Sequence, residues 1–91
     1  MGCAIAPYGM QEAIKRAKEF GVGSVTIMNS GHFGAAAYYA NMAVEENMLG
    51  LATTGGGVGV VPTFSSEKLV GLNPLAVGAP TKKNPPFIFD A

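Results

Sequence analysis

The 91-residue sequence has one histidine, one cysteine and no tryptophan, and only 13% of its residues are charged. Each shortage excludes something. A single cysteine, Cys3, rules out an internal disulfide and a cysteine-based zinc cluster, and no other metal-ligand spacing is present. A reducing, cytoplasmic setting is the default reading for such a chain. Six basic residues balance six acidic ones, so there is no electrostatic footprint for nucleic acid or for an anionic membrane. No uninterrupted apolar run approaches the ~18–20 residues that cross a bilayer. The start, MGCAIAPYGMQ, lacks the basic and apolar stretches of a signal peptide. Gly2 after Met1 hints at acylation, but that pattern needs Ser or Thr where Ala6 stands. The charged fraction is about half the usual level. It implies surface that something else covers, as in one piece of a larger chain or one protomer of an obligate oligomer. Residues 1–91 read as a single unit.

What is present has α/β periodicity. Met10, Ala13, Ile14, Ala17 and Phe20 recur at helical spacing, with charged residues between them, so a helix is predicted over Gly9–Phe20. Gly21 and Gly23 supply its stop. SVTIMN, residues 24–29, is short and β-branched and predicts a strand. A second helix is predicted over Ala35–Asn47, with Ala36, Tyr39, Ala40, Ala43 and Val44 on one face. Glu45 and Glu46 at its end oppose the helix dipole and find no explanation in helix stability. Residues 48–54 predict a buried strand, and GGGVGVVP after it is too rich in glycine for regular structure. Two extended segments flank Asn73-Pro74, TKKNPP reads as a solvated turn, and FIFDA begins another strand.

Three features carry candidate chemistry. The glycine run follows a strand, as a dinucleotide fingerprint does, but G-x-G-x-x-G counted from Gly55 or Gly57 ends on Val60 or Pro62. No Gly-Lys-Ser/Thr makes it a P-loop either, so a flexible connection or a loop covering a cofactor remains. His32 lies between strand and helix, where α/β proteins place ligand groups, and imidazole trades protons near neutrality. It can be a catalytic acid/base, or it can merely occupy the first turn of a helix that Ser30 caps. Asp90, closing an apolar run, can bond a ribose hydroxyl or cap another element. Tyr38 and Tyr39 read as helix packing residues rather than a stacking platform.

In order, NSGHFGAAAYYANMAVEENMLGLATT, GLNPLAVGAP and FIFDA resemble the malate/L-lactate dehydrogenase family, which includes L-sulfolactate and ureidoglycolate dehydrogenases and is distinct from the Rossmann-type enzymes. The resemblance runs from QEAIKRAKEFGVGSVTIMNS to the last residue. It implies an α/β fold with a mixed sheet and flanking helices, a non-Rossmann nicotinamide-binding fold, here incomplete. It also implies hydride transfer between NAD or NADP and a small 2-hydroxy acid, in a homodimeric full-length protein. The family's Ser-x-His-Phe-Gly motif falls on Ser30, His32, Phe33 and Gly34 and makes His32 the proton carrier; the family's cofactor contacts fall on Gly56, Asp90 and Ala91. The sequence departs from the family at Gly31, where Asn is frequent, at Leu72, where Thr is usual, and at Ala91, where Met is usual. Members are much longer, and the arginine that binds substrate carboxylate precedes this stretch, so the 91-residue chain is expected to be inactive alone. The rival expectation is a non-catalytic α/β structural or oligomerisation module, in which glycines serve turns and His32 caps.

Overall fold

The apolar spacing that ends at Phe20 does form a helix, but one that starts seven residues earlier than predicted. In a computed structural model that describes all of residues 1–91, α1 spans Gly2–Phe20 and runs through Pro7. Proline removes one amide from the ladder, so this first stretch depends on anchoring from outside. The Cys3 amide donates to the His32 carbonyl at 3.2 Å. Gly2 lies so close to residues 31 and 32 that a Cβ on it would overlap the Gly31 carbonyl oxygen. Gly21 ends the helix at φ 88°, in the left-handed conformation that glycine adopts without strain.

Residues 24–29 depart from expectation. Their side chains alternate as in a strand: Gly23 seats on the backbone of Ala13 and Ala17, while Val25 and Ile27 reach Gly9. Yet no backbone group from Val22 to Gly31 makes a backbone hydrogen bond, so no strand forms. The pattern is right for a ladder, and no neighbouring strand of this chain lies alongside to complete it.

Helix α2 spans Ala36–Glu45 and buries Ala36, Tyr39, Ala40, Ala43 and Val44, the face read from spacing. Its acidic end has a tertiary explanation. Glu46 accepts from Lys18 of α1 at 2.7 Å, and Glu45 accepts from Asn41. Both Lys18 and Glu46 are exposed, so the pair contributes only about 0–1 kcal/mol.

Five strands follow: β1 Gly50–Thr53, β2 Val58–Val60, β3 Val70–Gly71, β4 Leu75–Ala79 and β5 Phe87–Asp90. They form a three-stranded sheet in the order β1-β4-β5 and a separate β2-β3 ribbon. The expected α/β architecture with flanking helices holds, while every pairing within this chain is antiparallel. The strand β2 corrects the expectation that the glycine run is irregular: Val58 and Val60 pair with Gly71 and Val70 across an irregular register.

Helix α2 lies on one face of the sheet, and small residues set the separation. Gly50 and Ala52 of β1 and Ala76 and Gly78 of β4 are buried beneath it. A Cβ on Gly50 would overlap the Ala40 carbonyl, and one on Gly78 would stand 2.7 Å from Val44 Cγ2. The opposite face is open: Leu51, Val77 and Phe89 share a row by register, with Leu51 61% and Phe89 47% exposed. Only 10 of the 91 residues are buried, which agrees with the low charge fraction of the surface. No helix is long and apolar enough to cross a membrane.

The tight seam makes a prediction. Gly50→Ala should destabilise the chain by about 1–3 kcal/mol through overpacking, whereas Gly57→Ala, where no atom lies within 4 Å of the added carbon, should stay within ~0.5 kcal/mol. Urea unfolding midpoints of the two variants check the difference.

Candidate active site

Strand alternation decides where Asp90 goes. In β5, Ile88 pairs with Gly78 and Asp90 with Ala76, so both side chains lie on the α2 side, while Phe87 and Phe89 face the open side. The Asp90 carboxylate then meets the start of α2, where Oδ2 accepts from the Ala37 amide at 2.9 Å. Ala35 at the N-cap makes no side-chain cap of its own, and Ser30 makes none either. A carboxylate from a distant strand thus does the capping, at the end of the helix that favours negative charge.

The loop leading into α2 carries His32. Three contacts fix it. The His32 carbonyl is held by Cys3 at the start of α1, and the Phe33 carbonyl accepts a hydrogen bond from the Tyr39 hydroxyl. The Gly34 amide donates to His32 Nδ1 at 3.0 Å. Gly34 has φ 85°, a conformation that strains any residue with a Cβ. An N–H pointing at Nδ1 makes that nitrogen an acceptor, so the proton of the neutral ring sits on Nε2. His32 is exposed, and Nε2 is the nitrogen left for a ligand.

Tyr39 supports this loop from below. It is 5% exposed, stacks on Phe33 with ring centroids 5.2 Å apart and meets Tyr38 edge-on. Burial, with smaller effects from Cys3 and Tyr38, raises its phenol above the ordinary 10.0, so the hydroxyl remains a donor throughout the neutral range.

His32 borders a groove of about 1290 Å³ that runs between α1 with residues 22–34 on one side and β1 with the glycine loop on the other. No Asp, Glu, Lys or Arg lines it; His32 and Tyr39 are its titratable groups. Of the residues expected from sequence, His32 and Gly56 share this groove, and Asp90 and Ala91 do not line it. Gly56 already donates its amide to Leu72 at 2.8 Å, and Ala91 exchanges both backbone hydrogen bonds with Leu75. Sequence reading missed the part played by Tyr39 and Gly34. The signal for Gly34 was its place two residues after the histidine, since a glycine there takes the left-handed backbone before α2 without strain.

A family model described as Malate/L-lactate dehydrogenase matches residues 1–91. The chain is 44% identical over 90 residues to a malate dehydrogenase of Pyrococcus horikoshii, covering 99% of this chain and 25% of that protein. The solved structure of malate dehydrogenase from the same organism superimposes with a TM-score of 0.87 at 45% identity, over 98% of this chain and 25% of that one. Sulfolactate dehydrogenase from Methanocaldococcus jannaschii superimposes with a TM-score of 0.87 at 36% identity, over 99% and 26%. A ureidoglycolate dehydrogenase (NAD(+)) of Escherichia coli strain K12 is 36% identical over 89 residues, covering 98% and 26%. The chain therefore spans about a quarter of the length of the relatives it matches.

Two predictions follow from the site's supports. Asp90→Ala should lower unfolding free energy by roughly 0.5–2 kcal/mol, the usual value of a helix N-cap, measured by chemical denaturation without any ligand. For Tyr39, the folded-state pKa is raised, so its contribution is intact below the unfolded value near 10.0 and is lost as pH rises through the folded value. Melting temperature should therefore fall more steeply above about pH 10 in the wild type than in Tyr39→Phe, as a thermal-unfolding series across that range would show.

Proposed function

The chain belongs to the malate/L-lactate dehydrogenase family, and on that premise we propose that it carries the proton-transfer half of a nicotinamide-dependent 2-hydroxy-acid dehydrogenase site, with His32 as the acid/base. The observation that carries this reading is the fixed imidazole at the rim of an uncharged groove, with Nε2 free of protein partners. A nicotinamide suits such a groove. The lining is uncharged and half apolar, and open space at Gly57 lets a flat ring approach the backbone. Residues 54–57, Gly56 among them, would hold that end of NAD or NADP. When bound, the cofactor would take hydride from the 2-hydroxy carbon or return it there.

The chain's own part is the proton. In the reductive direction, Nε2–H of the doubly protonated ring donates a hydrogen bond to the 2-oxo group and polarises its carbon. That proton passes to the oxygen as the carbon becomes tetrahedral, leaving a neutral ring with its proton on Nδ1, and in the oxidative direction the lone pair of Nε2 takes the proton back. Both working states carry a proton on Nδ1, which that nitrogen can hold only when the Gly34 amide swings away. The resting Nε2–H ring and the two working states therefore need different positions of one peptide unit.

Asp90 and Ala91, which the family resemblance makes cofactor contacts, lie outside the groove, and Asp90 enters this reading as a support of the loop. Asp90 fixes the start of α2, and with it the loop that presents His32, and one of its carboxylate oxygens remains free of protein partners. No cation lines the groove to clamp a substrate carboxylate, so the 91-residue chain alone should not turn over. We read the whole protein as a cytoplasmic homodimer acting on a small 2-hydroxy or 2-oxo acid. The open apolar sheet face supports the dimer.

The test is a chimera in which residues 1–91 replace the matching quarter of the Pyrococcus horikoshii malate dehydrogenase. His32→Ala in that chimera should lower kcat by about 10²–10⁴-fold, the range for loss of a general acid/base, followed by NADH or NADPH absorbance. Undiminished turnover would remove His32 from the chemistry.

A further inference from the structure

We propose that Tyr39 is the positioning residue of His32, acting through a single peptide unit to hold the ring as the Nε2–H tautomer. The carbonyl of Phe33 and the amide of Gly34 belong to one planar trans peptide and point in opposite directions. The Tyr39 hydroxyl binds the carbonyl end, and His32 Nδ1 accepts from the amide end. Fixing the oxygen therefore aims the N–H at the ring. Tyr39 is suited to this because it is itself held: its ring is buried in the cluster with Ala36, Ala40, Ala52 and Ala76, and it stacks on Phe33. The peptide needs such a hold, because Gly34 has no Cβ to bar rotation of the plane and the loop around it is exposed. Its preceding neighbour is fixed separately by the bond from the Cys3 amide to the His32 carbonyl, so loss of the phenol hydroxyl would free the 33–34 plane without releasing the chain on its N-terminal side.

This hold acts on the resting ring, before the proton-transfer states that place a proton on Nδ1, and so goes beyond the acid/base reading of His32. The tautomer itself is a property of the folded chain and can be measured without activity. His32 is the sole histidine, so imidazole nitrogen signals from the 15N-labelled chain report one ring. Wild type should show Nε2 protonated at a pH where the ring is neutral, and a Gly34 amide protected from exchange. Tyr39→Phe keeps the aromatic ring and removes only the hydroxyl. It should populate the Nδ1–H tautomer and speed Gly34 exchange about tenfold, the scale of one lost hydrogen bond, while amides of α2 and β4 keep wild-type protection. Unchanged tautomer and exchange would overturn the proposal. So would an equal loss of protection across α2 and β4, because that is the signature of a merely structural residue. If Tyr39→Phe leaves the isolated chain without a dispersed spectrum, the same signals are taken from the chimera, assigned by difference from its His32→Ala form, and judged by the same two outcomes. A His32→Ala chimera with full turnover would sink the catalytic reading and leave the tautomer result standing, so the two failures are distinguishable.

Discussion

Helix α2 rests on its sheet through alanine and glycine, and the remainder of the molecule depends on that backbone-level contact. Ala36, Ala40 and Ala43 face Gly50, Ala52, Ala76 and Gly78, with little side chain between the two layers. Larger residues would hold the helix further from the strands. At the observed separation a carboxylate from β5 reaches the first turn of α2, and a tyrosine on the helix reaches the loop before it. The small-residue seam is thus what brings two distant chain segments to the same helix end. It yields modest hydrophobic stabilisation, since alanine buries little area, and it yields geometric definition instead.

The loop 32–34 shows what that definition serves. Its polar groups are satisfied by three separate elements: the start of α1, the buried face of α2 and the loop itself. An exposed histidine would ordinarily sample many rotamers. Here the ring has one nitrogen engaged and the other free of protein partners, which gives the neutral ring a defined proton position. The same bond conflicts with any state that carries a proton on Nδ1, so protonating that nitrogen requires the 33–34 peptide to turn.

Much of the fold was legible because the chain uses simple signals. The buried face of α2, the glycine stop at Gly21, the extended segments around Pro74 and the strand ending in Asp90 all follow from local periodicity and turn chemistry. The misses have a common cause. The first turns of α1 are held by residues 31 and 32, residues 24–29 lack a strand to pair with, and Val58–Val60 gain one from Val70–Gly71. Each outcome depends on a partner far along the chain, which periodicity does not see. The site divides in the same way. His32 was singled out by its motif, whereas the Asp90 cap and the Tyr39 hydroxyl join residues across the tertiary structure.

The order β1-β4-β5 leaves two strand edges, and they are not alike. The β5 edge is guarded: Pro85 and Pro86 precede it and Asp90 closes it, the kinds of residue that discourage pairing with a foreign backbone. The β1 edge, Gly-Leu-Ala-Thr, carries neither a charge nor a proline, and it borders the groove whose far wall includes the unpaired stretch from residue 22. At the β1 edge another backbone would therefore find neither a charge nor a proline opposing an added strand.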